Sequence, residues 1–216
     1  MVHSLRMSGR DIKRVCNVIS SSLLKWKLAS KEGKIILEFI MQKVYGNSNK
    51  NEDTEDADVN EVLGDVKKDF DEELNSKCNS LRDILDRMRD VLGELESGEE
   101  KCLGLSQLCD LSSSSSSSQK VNSSLVNSSN SQNSSIIELD HSVVYTNDLT
   151  RWTQVLSSCY RSQLKMNEIV CRNICRLSSR EEALFHVSVW VCQPALHTEA
   201  EAATVAIEQT LKSCSQ

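Results

Sequence analysis

The sequence predicts an all-α fold of long antiparallel helices with coiled-coil heptads and a short C-terminal helical pair. Three observations lead there. The 216 residues hold one proline and seven glycines, too little punctuation for a β-sandwich or barrel, which turns every ten residues or so. Apolar residues recur at three- and four-residue steps over long stretches, the spacing of one helix face. Two polar tracts with almost no apolar side chains then divide the periodic stretches into segments.

The N-terminal helical segment covers 1–46. From about Gly9 to Tyr45, Ile12, Val15, Cys16, Ile19, Leu23 and Trp26 form one apolar stripe, and Ile35, Ile36, Phe39, Ile40 and Val44 form a second. Gly33 falls between them, so one bent helix and two antiparallel helices both fit. Lys13, Arg14, Lys25, Lys27, Lys31 and Lys34 give this segment its positive charge, read mainly as a solvated face beside a core face. Residues 47–58, an acidic linker, carry five acids against one lysine and cannot repay the entropy of ordering.

A central coiled-coil helix is predicted over 59–100. With Leu63 at heptad position d, the d residues are Leu63, Phe70, Lys77, Ile84 and Val91, and the a residues, four further on, are Lys67, Leu74, Leu81, Met88 and Leu95. Arg82 and Arg89, each followed by an acid, Asp83 and Asp90, give the same helix alternating charge beside the seam. Either a second protein or other helices of the same chain could cover this seam. The tract 112–135, in which 14 of 24 residues are serine and four asparagine, is expected to be a disordered insert.

The C-terminal helical segment covers 146–214. Its first helix has a seam of Leu149, Trp152, Leu156, Cys159, Met166, Val170 and Leu177, interrupted by Gln163 and Asn173, which either fix register or lie at a wet rim. Ser178 with Glu181, or Ser179 with Glu182, makes a capping box for a short helix ending before Pro194, and Thr198 with Glu201 makes another. A buried strand over 184–192 is the alternative for the first of these.

Composition narrows the function. Phosphate-binding glycine loops and the hydrolase elbow are absent, so no enzyme and no small-molecule substrate are expected. No stretch approaches the roughly 18 to 20 apolar residues that span a bilayer, and the first ten residues lack an apolar signal core. A soluble intracellular protein with reduced thiols, no membrane partner and no cofactor is the expectation. Net charge is −6 overall, yet the basic residues concentrate in the first helix, which leaves weak nucleic-acid binding there as a reading. A zinc site can be drawn from Cys171, Cys175, Cys192, His186 and His197, but it lacks the tight C-x-x-C turn of structural zinc sites, and no metal is expected. A Cys192 nucleophile with His186 or His197 is weaker still, with no orienting acid evident.

Two segments carry a resemblance. Leu23-Leu24-Lys25-Trp26 near the N-terminus and Ser188-Val189-Trp190-Val191-Cys192-Gln193-Pro194 near the C-terminus resemble motifs of the cyclin-dependent kinase 2-interacting protein family. Tyr160-Arg161 precedes the second motif at a similar interval, and the central heptad lies between. The resemblance spans about 12–30, 60–100 and 148–212. It implies a non-enzymatic helical adaptor of the nucleus and cytoplasm, linked to cyclin-dependent kinases, to DNA replication and checkpoint assemblies, and to an AAA-type ATPase complex in ribosome maturation. A homodimeric structural coiled-coil tether is the alternative. The residues expected to meet a helical partner are Leu74, Leu81, Ile84, Met88, Val91, Leu95, Trp152, Leu156 and Met166 on the heptads. Leu24, Trp26, Tyr160, Trp190, Gln193 and Pro194 join them from the motifs, with Trp26 expected to serve a partner contact more than the fold.

Overall fold

The computed structural model describes residues 9–45, 60–115, 136–139, 142–196 and 198–214, with side-chain surroundings outside 60–71 and 109–146. In order these are α1 (Gly9–Tyr45), α2 (Asn60–Ser115), β1 (Ile136–Leu139), β2 (Ser142–Tyr145), α3 (Thr146–Asn173), α4 (Arg180–Cys192) and α5 (Thr198–Ser213). The fold is all-α, long helices packing against one another, apart from the short antiparallel pairing of β1 with β2 in the register Ile136 to Tyr145. The linker 47–58 lies outside the described residues. So does the Ser/Asn tract except residues 112–115, which form the last turn of α2.

Residues 9–45 form one helix. Its buried positions run without interruption through Ile12, Cys16, Ile19, Ser22, Trp26, Ala29, Ser30, Leu37 and Ile40, joined by small residues; of the second predicted stripe Ile40 is buried, but Ile35 turns outward and Leu37 is buried instead. Gly33 is not a break. A Cβ built on it would lie 2.1 Å from Cζ2 of Trp190, so the residue is small because an indole ring packs where a side chain would go. Glycine weakens a helix interior by about 1 kcal/mol relative to alanine, and the flanking turns carry that cost.

Helix α2 continues to Ser115, past the expected end at residue 100, because Cys102 and Ser106 keep the inward face going. Leu81, Ile84, Met88, Val91 and Leu95 are all buried, as the heptad predicts, and Leu85 and Leu92 are buried with them. The covered face is therefore wider than an a/d seam, as in a helix surrounded within a bundle.

Contacts divide the chain into two compact units, one of Met1–Ser22, Leu92–Cys159 and Thr198–Gln216, the other of Leu23–Val91 and Tyr160–His197. The helices α1, α2 and α3 each contribute to both, and the predicted C-terminal pair is divided, α4 to the second unit and α5 to the first. In the first unit Ser22 Oγ donates to Glu94 Oε2 at 2.6 Å and Ser106 Oγ to Asn147 Oδ1 at 2.7 Å, while Gly98 leaves room for Ile19. In the second, Arg87 pairs with Glu32, Lys43 with Glu73 at 2.7 Å, and Arg89 with Glu168 at 2.8 Å. In both units the order of these pairs along the chain makes α1 and α2 antiparallel, and in the second unit the Met88–Asn167 and Cys78–Cys175 contacts do the same for α2 and the end of α3. These ion pairs are half exposed and contribute little energy each; they report direction.

The cap of α4 is a variant of the predicted box. Ser179 Oγ accepts from the Glu182 backbone N–H at 3.2 Å, and Glu182 Oε2 accepts from the N–H and hydroxyl of Ser178 rather than from the cap residue itself. Those bonds from Ser178 hold the Glu182 carboxyl below the usual carboxylate range. Thr198 is the first residue of α5.

Two alanine substitutions separate the uses of glycine here. Gly33→Ala should lower unfolding stability by about 1 to 3 kcal/mol through overpacking against Trp190, whereas Gly93→Ala, with nothing within 4 Å of the new methyl, should raise it by about 0.5 to 1 kcal/mol. Urea titration followed by circular dichroism measures both.

Candidate functional site

The motifs that carry the resemblance meet in the second unit. Helix α4 stops at Cys192, and Gln193 takes a left-handed conformation (φ 47°, ψ 60°) while its N–H still donates to Val189 O at 3.2 Å. Pro194 follows and cannot continue the helix. This exit directs the Gln193 side chain onto α1. Its Oε1 accepts from Trp26 Nε1 at 3.0 Å, and its Nε2 donates to Ser30 Oγ. Trp190 Nε1 donates to the Ser30 backbone carbonyl at 2.9 Å. Positions 26, 30 and 33 of α1 share one face at helical spacing. One surface thus supplies the acceptor for Trp190, the donor for Gln193 and the glycine floor for the ring. Tyr160 completes the cluster with its ring edge-on to Trp26, centroids 4.9 Å apart, a favourable aromatic geometry.

A polar chain continues inward. Gln163 Oε1 accepts from the Ala195 N–H at 3.1 Å, Gln163 Nε2 donates to Asn167 Oδ1 at 2.9 Å, and Asn167 Nδ2 lies 3.5 Å from Met88 Sδ. Both amides are completely buried, so Gln163 is a core residue and not a rim residue. The inward face of α3 follows Leu149, Thr153, Leu156, Tyr160, Gln163, Asn167, Val170 and Ile174. The predicted seam is therefore displaced by one residue at Trp152 and Asn173, which are half-buried, and at Met166, which is exposed, while Cys159 is buried as predicted and Leu177 lies beyond the helix.

The predicted partner-contact residues accordingly divide. Leu81, Ile84, Met88, Val91, Leu95, Leu156, Tyr160, Trp26 and Trp190 lie inside the fold, where a partner reaches them only by displacing the chain's own helices. Trp26 in particular belongs to the core, because its ring is enclosed and its N–H is used. Leu74 and Gln193 are half-buried; Leu24, Met166 and Pro194 are exposed. Sequence periodicity missed a different surface. Leu24 is 59% exposed, Leu28 52% and Ile35 67%, three apolar side chains on one outward face of α1, with Lys31 between Leu28 and Ile35 at the same spacing. Leu184, Phe185 and Val191 are exposed on α4, although an apolar helix before Pro194 reads as core.

A groove of about 490 Å³ runs between α2 and α3 in the same unit. Arg82, Arg89, Arg172 and Arg176 line it with Asp86 and Glu168, and Cys78 and Cys171 form part of its wall. Hydrogen bonding to Glu168 raises the Arg89 guanidinium above its ordinary value. Burial pushes the Cys171 thiol up to about 12. Of the residues drawn together for zinc, Cys192 and His186 stand on α4, His186 Nδ1 lying 3.0 Å from Glu182 O, and His197 lies outside the described residues. Among the described residues no three His, Cys, Asp or Glu side chains are grouped to hold a metal ion, and no helix is long and apolar enough to cross a membrane.

Comparison with protein-family models finds no match, and no curated protein matches the chain.

Gln193→Ala should cost about 1 to 3 kcal/mol, since it leaves the buried Trp26 N–H and the Ser30 hydroxyl without their partner. Trp26→Ala should cost more, about 3 to 5 kcal/mol. Denaturant titration monitored by tryptophan emission gives both values, and a Trp26→Ala protein as stable as the parent would return that residue to the surface.

Proposed function

We propose that the chain is a non-enzymatic helical adaptor of the cyclin-dependent kinase 2-interacting protein family. On this reading it acts in the nucleus and cytoplasm, in cell-cycle, DNA replication and checkpoint, and ribosome-maturation complexes, the last through an AAA-type ATPase assembly. The family reading is supported by Trp26, Tyr160 and Gln193, positions of three separate motifs in direct contact, and by Trp190, which bonds to the same Ser30 that Gln193 meets. A set of motifs that depend on one another physically is a stronger basis for resemblance than the same motifs scattered over a fold.

The observation that carries the adaptor reading is the outward face of α1. Leu24, Leu28 and Ile35 are exposed on a helix whose opposite face is already packed, the arrangement by which a helix enters the groove of another protein. Lys31 stands in the row, Lys25 and Lys27 flank it with Lys34, itself paired with Glu38, and this charge favours a partner with an acidic rim. A homodimeric tether joined through the α2 heptad has less to build on, because Leu81, Ile84, Met88, Val91 and Leu95 are buried within one chain.

Affinity purification with lysine crosslinking, using the full chain and the double variant Leu24→Asp, Leu28→Asp, tests the proposal. The parent should yield partners crosslinked to Lys25, Lys27 or Lys31. The variant should lose those partners by tenfold or more while its melting temperature stays within about 2 °C, as expected for exposed positions. Equal capture by the folded variant, or a chain that sediments as a stable homodimer and captures nothing, overturns it.

A further inference from the structure

Cys78 and Cys175 are 97 residues apart in sequence, yet their sulfurs lie 3.2 Å apart in the second unit. Cys78 stands on α2, and Cys175 in the turn just after α3. Residues on both sides of Cys175 are held in place, since the Tyr45 hydroxyl lies 3.1 Å from the carbonyl oxygens of Ile174 and Leu177. A bonded pair of sulfurs is about 2.05 Å apart, so closing this gap needs a side-chain adjustment of roughly 1 Å. Cys78 also lines the groove whose wall carries Arg82, Arg89, Arg172 and Arg176. A small oxidant has access there.

We propose that Cys78 and Cys175 form an oxidisable dithiol site, closed by a peroxide into a disulfide that ties α2 to the α3–α4 connection and reopened by thiol reductants. The Cys78 thiolate attacks one oxygen of hydrogen peroxide; an S–O bond forms, the O–O bond breaks, and hydroxide leaves as water after taking a proton. The sulfur of Cys175 then attacks the resulting sulfenic acid, the S–S bond forms, the S–O bond breaks, and the proton of Cys175 leaves in a second water. Two thiols lose two electrons in all, and one peroxide becomes two waters. Burial, with Cys78 alongside, pushes the Cys175 thiol up to about 12, so Cys175 is not the thiol that meets the peroxide first. The buried thiols Cys16, Cys102 and Cys159 have no comparable access. Cys171 is the competitor, one helical turn before Cys175 and lining the same groove.

Trypsin separates the candidates, because Arg172 lies between Cys171 and Cys175 and Lys77 precedes Cys78. The reduced full chain, treated with graded hydrogen peroxide, trapped with N-ethylmaleimide and digested, should give as its first oxidised product the 78–82 peptide linked to the 173–176 peptide, two hydrogens lighter. Dithiothreitol should reverse it. The product should vanish in Cys78→Ser and Cys175→Ser and persist in Cys171→Ser, and the linked chain should melt several degrees higher than the reduced one. The proposal fails if Cys171 is crosslinked first, if Cys78 is carried to sulfinic acid without a crosslink, or if the first disulfide joins two chains. The parent digest decides between these outcomes even where a serine variant fails to fold.

Discussion

Everything in the second unit depends on the seating of Trp190 against α1. Helix α4 has 13 residues, too short to hold itself together in water, and only Ala183, Val187 and Trp190 bury well along it. Its place is fixed because the Trp190 ring occupies the space over Gly33 and its N–H finds the Ser30 carbonyl. That seating sets the end of α4. The end of α4 places Gln193 in the left-handed region, and the Gln193 amide then occupies the N–H of Trp26 and the hydroxyl of Ser30. None of these contacts is available unless α1 is one uninterrupted helix from 26 to 33. The glycine that weakens α1 locally is thus the residue that lets a distant helix hold it.

Buried polar groups extend this constraint to α2 and α3 within the second unit. Gln163 and Asn167 are fully buried amides in a face that heptad reasoning assigns to apolar residues. Neither is idle: between them they satisfy the Ala195 N–H, one another, and a contact with the sulfur of Met88. A pair of leucines would fill similar volume and stabilise more by burial alone, but would pack in several registers. The amides accept one, because a shift of α3 by a single turn would leave at least two buried hydrogen-bonding groups without partners, at a cost of about 1 to 3 kcal/mol each. The gain lies in specificity more than in stability.

How much of this is legible in the sequence follows from the same physics. The inward face of α2 is readable because leucine, isoleucine, methionine and valine supply it, so hydropathy and burial coincide from Leu81 to Leu95. The inward face of α3 is misread by one position in places. There Thr153 and Asn167 are buried, and an apolar count prefers their neighbours Trp152 and Met166, while at Cys159 and Tyr160 both neighbours are buried. In α1 the reading fails at the small residues, since Ser22, Ala29, Ser30 and Gly33 are buried for closeness of approach, a property that no hydropathy scale records. Phe185 and Ile35, each 67% exposed, fail in the opposite sense: nothing local to them reveals that the core has turned away. Strands β1 and β2 lie in a stretch to which no element was assigned, although Ile136, Ile137, Val143 and Val144 carry the β-branched signal.

Interior placement of the motifs changes what a sequence resemblance can mean here. Motifs that bind a partner are constrained by the partner, and can be lost without loss of fold. Motifs that lock two helices together are constrained by the fold itself and report architecture before they report function. Trp26, Tyr160, Trp190 and Gln193 are of the second kind, because their polar atoms and ring faces are already engaged within the chain. On the proposed adaptor reading, partner choice would then reside in residues the fold leaves exposed, and in the second unit those include the outward row of α1 and the exposed apolar side chains of α4. Two chains could share the tryptophan and glutamine lock and differ wholly in what they assemble with. Two others could share a partner only if Leu24, Leu28 and Ile35 present the same outward chemistry on that common scaffold.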